Sequence, residues 1–242
     1  VAERLLLLAA ATGLELDAAL GRKTGARQAA QGAVLATEAY GRPVLALATG
    51  VGLVNAALAV GRALERHAVG GVVDFGVAGS FDLAAHPLRA VRLVERETWP
   101  EYGLLASGAC AADVHGLGFP LAAADCACGE AVLDSLAWDA GAELARMDLD
   151  AHGLDAAESL SVSGVTADAA RAAMLFERYG AGLENMEGFA LAYACRLAGL
   201  PFAEVRAVSN AVGVRPPRGW DLPGALEALG RAARRLFTAV AP

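Results

Sequence analysis

Apolar residues fall along this chain in two alternating patterns, short unbroken runs and longer stretches with a helical period. Residues 4–11 are an unbroken run and predict a central strand covered on both faces. The run ends in Thr12-Gly13-Leu14-Glu15, and a short helix is expected from Leu16. Residues 32–40 and 42–49 predict two strands joined at Gly41, and the second leads through Thr49-Gly50-Val51-Gly52 into a helix with Leu53, Ala57, Val60 and Leu64 on one face. Residues 70–75 predict another buried strand, closed by the small-residue turn Gly76-Val77-Ala78-Gly79-Ser80. Residues 89–98 read as a strand. Residues 99–128 show neither period, and so long a stretch inside a compact domain points to a functional excursion or to elements that neither period reveals.

Residues 129–146 carry Val132, Leu136, Ala140 and Leu144 at helical spacing and predict a helix. A short strand over 159–164 follows, then Val165-Thr166 and a helix to about Arg178. A loop from Leu183 leads into a helix that has Glu187 at its start, runs to Leu197 and stops at Gly199, with Pro201 blocking its extension. Residues 201–210 predict a strand that carries Arg206 and delivers Ser209 and Asn210 at its C-terminal end. After a loop over 211–220, residues 222–240 predict a helix capped by Asp221, with Leu222, Leu226, Leu229, Ala233, Leu236 and Phe237 as its stripe. The alternation predicts one α/β domain over residues 1–242, a central twisted, largely parallel mixed sheet flanked by helices.

Composition narrows the function. The chain is 56% hydrophobic, and its 27 acids outnumber its 20 bases, for a net charge of −7, which speaks against nucleic-acid binding. The late cluster Arg231, Arg234 and Arg235 reads as the solvated face of a helix. Cys110, Cys126, Cys128 and Cys195 lack metal or redox spacing, and His67, His86, His115 and His152 lack ligand spacing. No metal, cofactor or disulfide is expected, and free cysteines suit a cytoplasmic location. The apolar run near the start is short and has no net positive flank, so a buried strand is expected there and not a signal segment; no run is long enough to cross a membrane. Gly50-Val51-Gly52 is half of a dinucleotide fingerprint, with Asn55 where the third glycine would stand.

Ligands of α/β sheets bind at the C-terminal ends of the strands. Glu15, the small residues Ala78 and Gly79, and Ser209 with Asn210 all fall at such ends. Taken alone, Glu15 reads first as a helix-start acid, stabilising by about 0.3–1 kcal/mol, and only second as a catalytic group. Arg206 on an interior strand needs a carboxylate partner, and Glu15 is the candidate.

Five spaced stretches resemble the purine nucleoside phosphorylase/nucleosidase superfamily over nearly the whole chain. They are Ala10-Ala11-Thr12-Gly13-Leu14-Glu15, Thr49-Gly50-Val51-Gly52 with Asn55-Ala56-Ala57, Gly76-Val77-Ala78-Gly79, Asn185-Met186-Glu187-Gly188 and Val205-Arg206-Ala207-Val208-Ser209-Asn210. Within that superfamily the chain resembles the methylthioadenosine/adenosylhomocysteine nucleosidase branch, and most of all the futalosine hydrolases. The resemblance implies cleavage of the N-glycosidic bond of a purine nucleoside, through a ribosyl-cation-like transition state. It implies that Glu15 deprotonates the attacking water, that Glu187 accepts from the ribose hydroxyls with Met186 beside the sugar, and that Arg206 lies near the water. It places Ser209 and Asn210 at the leaving group, and Ala78, Gly79 and Val165 at the substrate.

Departures from the branch sharpen this. Methylthioadenosine nucleosidases carry an aspartic acid where Asn210 stands. An amide can donate from its NH₂ toward N7 and a 6-oxo group, which favours hypoxanthine or guanine over adenine, and futalosine is an inosine-type nucleoside. Arg215-Pro216-Pro217-Arg218-Gly219-Trp220 resembles the futalosine hydrolase pattern, so that Arg215 or Arg218 could pair with futalosine's benzoate carboxylate. Val77 replaces a serine that relatives use near the water. The acid in Thr12-Gly13-Leu14-Glu15-Leu16 would repel phosphate, which favours hydrolysis over phosphorolysis. The resemblance further implies menaquinone biosynthesis and a homodimer or larger homo-oligomer, with residues 99–128 able to reach a partner's site. The alternatives are a methylthioadenosine/adenosylhomocysteine or aminodeoxyfutalosine nucleosidase, and a catalytically dead nucleoside-binding module.

Overall fold

A computed structural model describes residues 4–25, 27, 29–109, 111–124, 129–151, 153–215 and 219–238. The first strand, β1 (Leu5–Ala10), shows how the sheet is covered. Leu6, Leu8 and Ala10 pack into one apolar cluster, while Leu7 and Ala9 pack into another on the opposite face. Side chains alternate along a strand, so a strand buried on both faces must be apolar at every position. That is why β1 reads as an unbroken run.

Helix α1 (Gly13–Ala19) follows, then the hairpin β2 (Val34–Ala39) and β3 (Arg42–Ala48), α2 (Leu53–Arg66), and the long strands β4 (Val69–Ser80) and β5 (Val91–Thr98). The second half contains α3 (Val114–Leu117), β6 (Ser135–Ala137), α4 (Ala140–Ala145), β7 (Asp155–Ser161) and α5 (Ala169–Tyr179). It ends with β8 (Leu183–Asn185), α6 (Gly188–Ala198), β9 (Phe202–Ala211) and α7 (Leu222–Thr238). Parallel ladders join β3, β1, β4 and β9 in that order, so their C-terminal ends share one edge. β2 is antiparallel to β3 at one margin, and β6 is antiparallel to β5 at the other. β9 also pairs antiparallel with β5, while β4 reaches β5 by the other route through β8 and β7. The pairings therefore close β4, β8, β7, β5 and β9 into a ring, and β3 and β2 extend from it beyond β1. The fold is a single α/β domain with a mixed sheet flanked by helices. α1, α4 and α7 supply side chains to one core and α2 and α6 to the other.

Several local expectations are corrected. The helix after β1 starts at Gly13, three residues before Leu16, because the Thr12 side chain caps it and Glu15 completes a capping box. Gly76 to Ser80 is no turn but the C-terminal part of β4, paired with β9 throughout. The strand over 159–164 lies earlier, as β7, and Leu183 begins the short strand β8 and not a loop. The helix expected over 129–146 does not form. Val132 bridges to Ala122, Leu136 sits on β6 against β5, and only α4, capped by Asp139, is helical. Spacing of four suits a helix locally, but long-range strand pairing takes the first half of the stretch. On α2 the buried face is Ala56, Ala59, Val60 and Ala63, and Ala57 is exposed.

The described residues between 99 and 124 fold back on their own chain. Tyr102 donates to the Phe119 carbonyl at 2.8 Å, Tyr193 donates to the Leu121 carbonyl at 2.8 Å, and Trp99 packs its ring near Phe189. None of the described residues of this stretch lines the cavity described next.

Candidate active site

At the shared edge of β1, β4 and β9 lies a cavity of about 330 Å³. Glu15, Ala78, Gly79, Met186, Glu187, Ser209, Asn210 and Val165 all line it, although they come from five separated stretches of the chain. Arg206 does not. It lies behind the cavity floor with no exposed surface. Arg218 lies outside the described residues, as do Cys110, Cys126, Cys128 and His152.

Glu15 is almost fully buried. Its Oε2 accepts from Thr12 N at 3.0 Å and Thr12 Oγ1 at 2.7 Å, and its Oε1 accepts from Val77 N at 3.1 Å. The capping box thus aims a carboxylate across the ends of β1 and β4. Val77, which cannot supply a hydroxyl, contributes its backbone N–H.

Glu187 stands at the start of α6 but caps nothing in its own helix. Asn185 does that work, since its Oδ1 accepts from Glu187 N and Gly188 N, each at 2.8 Å, and Ser161 Oγ accepts from Phe189 N at 2.8 Å. Glu187 Oε1 is left to accept from Gly52 N at 2.8 Å, at the start of α2. Gly50 and Gly52 have φ of 87° and 97°, where a side chain would be strained. The half-fingerprint of glycines therefore presents an N–H to a carboxylate of the same chain, and not to a dinucleotide. Burial raises the Glu187 pKa above the ordinary carboxylate value, against the opposing pull of Arg206.

Ser209 and Asn210 leave the end of β9. Asn210 places one end of its amide 2.8 Å from the Ala211 carbonyl and the other 2.8 Å from Ser209 Oγ. A carbonyl only accepts, so the nitrogen must face Ala211 and the oxygen must take the Ser209 hydroxyl proton. A Cβ on Gly79 would lie 3.2 Å from this nitrogen and 2.9 Å from Val212, so glycine there leaves the amide its room.

The partner of Arg206 is not Glu15, and this corrects the sequence expectation. Nη2 donates to Asp74 Oδ2, and Nε donates to Glu204 Oε1 at 2.7 Å. Register decides the matter: Asp74 pairs with Glu204, and Gly76 pairs with Arg206, across the β4–β9 ladder. Even-numbered side chains of both strands face α6, which brings the three charges together. A Cβ on Gly76 would stand 1.9 Å from Arg206 Nη1, so the small residue makes room for the guanidinium and not for a ligand. Gly188 is likewise small because the Glu204 carboxyl rests on it, 2.4 Å from where a Cβ would be. Sequence reading missed Asp74, Glu97 and Glu204, and gave Asn185 no role of its own. For Asp74 the signal was a charge inside an otherwise apolar strand, Val72-Val73-Asp74-Phe75.

Burial opposes the Arg206 charge, yet the carboxyls of Asp74 and Glu204 outweigh it and hold the arginine pKa up. Burial pushes the Asp74 and Glu204 carboxyls well above their ordinary range. The stability they contribute is thus present at and below the ordinary carboxylate range, and is lost as pH rises through their elevated values. Arg206→Met is expected to cost about 3–5 kcal/mol near neutral pH, because it strands the buried Asp74 carboxylate. The cost should shrink in mild acid, as that carboxyl takes up a proton. Urea unfolding at both pH values checks this, and equal losses would contradict it.

Two further side chains frame the cavity. Glu184 accepts from Thr166 N at 3.2 Å and from the Thr166 hydroxyl, and burial raises its pKa. Trp220 bridges to Asn210 and donates to the Val214 carbonyl at 2.8 Å, and the exposed Arg215 lies over its ring at 5.5 Å. Trp220 is therefore part of the cavity wall as well as the lead-in to α7. The described residues hold no group of His, Cys, Asp and Glu arranged for a metal ion, and no helix among them is long and apolar enough to cross a membrane.

Comparison with known proteins follows the same lines. The family model of the phosphorylase superfamily matches residues 5–241. The futalosine hydrolase of Thermus thermophilus is 39% identical over 194 residues, covering 79% of this chain and 80% of that protein. The futalosine hydrolase of Streptomyces coelicolor is 46% identical over 96 residues, covering 39% of this chain and 41% of that protein. Among solved structures, futalosine hydrolase of Helicobacter pylori matches with a TM-score of 0.66 at 16% identity, covering 96% of this chain and 94% of that one. The 5'-methylthioadenosine/S-adenosylhomocysteine nucleosidase of the same organism matches with a TM-score of 0.67 at 15% identity, over 96% and 94% of the two chains. At such identities the structural matches speak for the fold alone, whereas the sequence matches separate the branches: this chain belongs to the phosphorylase superfamily and, within it, to the family of the futalosine hydrolases.

Proposed function

We propose that the protein hydrolyses the N-glycosidic bond of futalosine, releasing hypoxanthine and dehypoxanthine futalosine. The observation that carries this reading is the convergence of Glu15, Glu187 and Asn210 on one cavity, with the Asn210 oxygen already engaged by Ser209. The family supplies the substrate, since curated relatives bear the name futalosine hydrolase.

The reaction needs a nucleophile on one face of the sugar, a grip on the ribose, and a donor for the departing purine. Glu15 holds the water and takes its proton as the carbon–oxygen bond forms. Thr12 and Val77 keep the carboxylate pointed at that water. Glu187 accepts from the ribose hydroxyls with the oxygen it does not spend on Gly52, and Met186 packs beside the sugar. Negative charge develops on the purine as the bond to nitrogen breaks. One N–H of Asn210 serves the Ala211 carbonyl, which keeps the amide from turning over, and the other is shared by N7 and the 6-oxo group while Ser209 steadies the amide oxygen. Ala78, Gly79 and Val165 line the ribose and base. Arg206 acts at a distance, by balancing buried carboxyls beneath the site.

The substrate tail ends in a benzoate, and Arg215 with Trp220 stands on the cavity wall with a cation and an aromatic face. Arg215→Ala is expected to raise KM for futalosine by about tenfold or more, the scale of a charge-assisted hydrogen bond, and to leave inosine unaffected. Equal effects on both nucleosides would remove Arg215 from tail recognition. The resemblance also assigns the reaction to menaquinone biosynthesis in the cytoplasm. A homo-oligomer is supported by the exposed apolar side chains Val51, Val54 and Leu58, which follow one another at and along the start of α2.

A base-release assay tests the whole reading, with futalosine, inosine and methylthioadenosine offered in parallel, with and without phosphate. Hypoxanthine from futalosine, independent of phosphate, is the expected result. Adenine from methylthioadenosine would overturn the substrate, and binding without base release would favour a dead nucleoside-binding module.

A further inference from the structure

Beneath the cavity, β4, β5, β9 and α6 enclose three carboxyl groups and one guanidinium. Asp74, Glu97, Glu204 and Arg206 are each at most 1% exposed. If every acid were ionised, three negative charges would face one positive charge with no solvent. A buried group in that position surrenders its charge.

The hydrogen bonds set Glu97 aside, and the neighbouring acid then separates Glu204 from Asp74. Glu97 has both oxygens engaged by donors, Ser161 Oγ at 2.7 Å on Oε2 and Asn185 Nδ2 on Oε1. Asp74 faces the Arg206 guanidinium directly. Glu204 gives Oε1 to Arg206 Nε, while no donor among the described residues faces its buried Oε2, and Asp74 Oδ1 is buried in the same way. What sets Glu204 apart is a second acid beside it, since one nitrogen, Asn185 Nδ2, serves Glu97 Oε1 and lies 3.3 Å from Glu204 Oε1. Two buried carboxyls drawn to one donor repel each other unless one carries a proton.

Asn185 touches both acids, with Nδ2 donating to Glu97 and lying 3.3 Å from Glu204 Oε1. Ser159 Oγ sits 2.7 Å from the same nitrogen. From its other end Asn185 holds the N–H groups of Glu187 and Gly188. We infer that Glu204 is held neutral and shares its proton with Glu97, and that this acid pair, through Asn185, positions Glu187 for its grip on the ribose. The kinetic half of this inference rests on the proposed role of Glu187, whereas the proton does not.

Glu204, Glu97 and Asn185 are thus positioning residues, and the arrangement explains why a neutral amide bridges two acids at the root of α6. The groups that face Glu204 are Asp74 on β4, Glu97 on β5, Asn185 on β8, Arg206 on β9 and the Gly188 backbone on α6.

Infrared spectroscopy of the folded protein near neutral pH tests the proton. A protonated buried carboxyl absorbs apart from carboxylates and amides. The wild type is expected to show that band, Glu204→Gln to lack it, and Glu97→Gln to shift it. A wild type without the band overturns the inference, and so does a band that survives in Glu204→Gln, which would put the proton on Asp74. Glu97→Gln keeps the question answerable if Glu204→Gln does not fold.

Kinetics test the positioning. The amide of Glu204→Gln still accepts from Arg206 and donates to Glu97, so near wild-type kcat/KM is expected. Glu204→Leu offers neither bond, and is expected to lose about 10–100-fold, the scale of a misplaced group. That loss should shrink on a 2'-deoxynucleoside, which lacks a hydroxyl for Glu187 to accept from. An equal loss on both nucleosides overturns the positioning role. Glu187→Gln is the control for the reading beneath it. If that variant keeps the full preference for ribose, Glu187 is no clamp and the positioning role falls, while the infrared result stands alone.

Discussion

Glu15→Gln is expected to lower the rate of base release by about 10²–10⁴-fold, the usual contribution of a positioned acid–base group. The fold should tolerate the change. Position 15 is the third residue of α1, where glutamine serves a capping box as well as glutamate does. What glutamine cannot do is take a proton from water. Its NH₂ would also face a donor, either Thr12 or Val77, where the wild-type carboxylate accepts from both. Steady-state hypoxanthine release, read beside thermal unfolding, separates lost chemistry from lost structure. Near-normal turnover in a folded variant would remove Glu15 from the mechanism.

Asn210→Asp is expected to reduce hypoxanthine release by about 10²–10³-fold, the cost of removing one donor aimed at developing charge. The amide now sends its nitrogen toward Ala211 O and the leaving group, with its oxygen tied to the Ser209 hydroxyl. An ionised aspartate would turn an acceptor against the Ala211 carbonyl and against the purine. A protonated one could donate to N7 while its other oxygen accepts from a 6-amino group. The ratio of adenine to hypoxanthine released from matched 6-amino and 6-oxo nucleosides should therefore rise. An unchanged ratio would show that Asn210 does not read the 6-position. Ser209→Ala is the companion measurement, because it removes the hydroxyl that steadies the amide oxygen and leaves the Ala211 carbonyl to hold the amide's orientation.

Much of the architecture follows from local pattern. β1 is apolar at every position because both faces of the sheet are covered, and that alone marks it as an interior strand. The stop of α6 at Gly199, in a left-handed conformation, and the cap of α7 by Asp221 are consequences of residue chemistry within a few positions. The stripe of α7 is legible for the same reason, with Leu229, Ala233 and Leu236 fully buried. Residues at the ends of β1, β4 and β9 reach a common cavity because parallel strands bring their C-terminal ends to one edge.

Other features have no local cause. Val132, Leu136, Ala140 and Leu144 have a helical spacing, but β5 offers Leu136 a strand partner from far along the chain, and the ladder prevails. α2 is covered by the sheet and by α6, so the side it buries is set by neighbours that its own sequence does not contain. The charge on Arg206 announces that a carboxylate must be near, since a lone buried cation is too costly, but it does not say which one. The β4–β9 register supplies Asp74 and Glu204 from the same face and leaves Glu15 to Thr12 and Val77. By itself the sequence determined most of the elements, their order and the strand ends that carry chemistry, because those depend on period and on neighbours a few residues away. Tertiary structure alone decided the closure of the sheet, the partner of Arg206 and the acid pair behind Glu187, because each is a contact between strands distant in sequence, and only register says which buried charges meet.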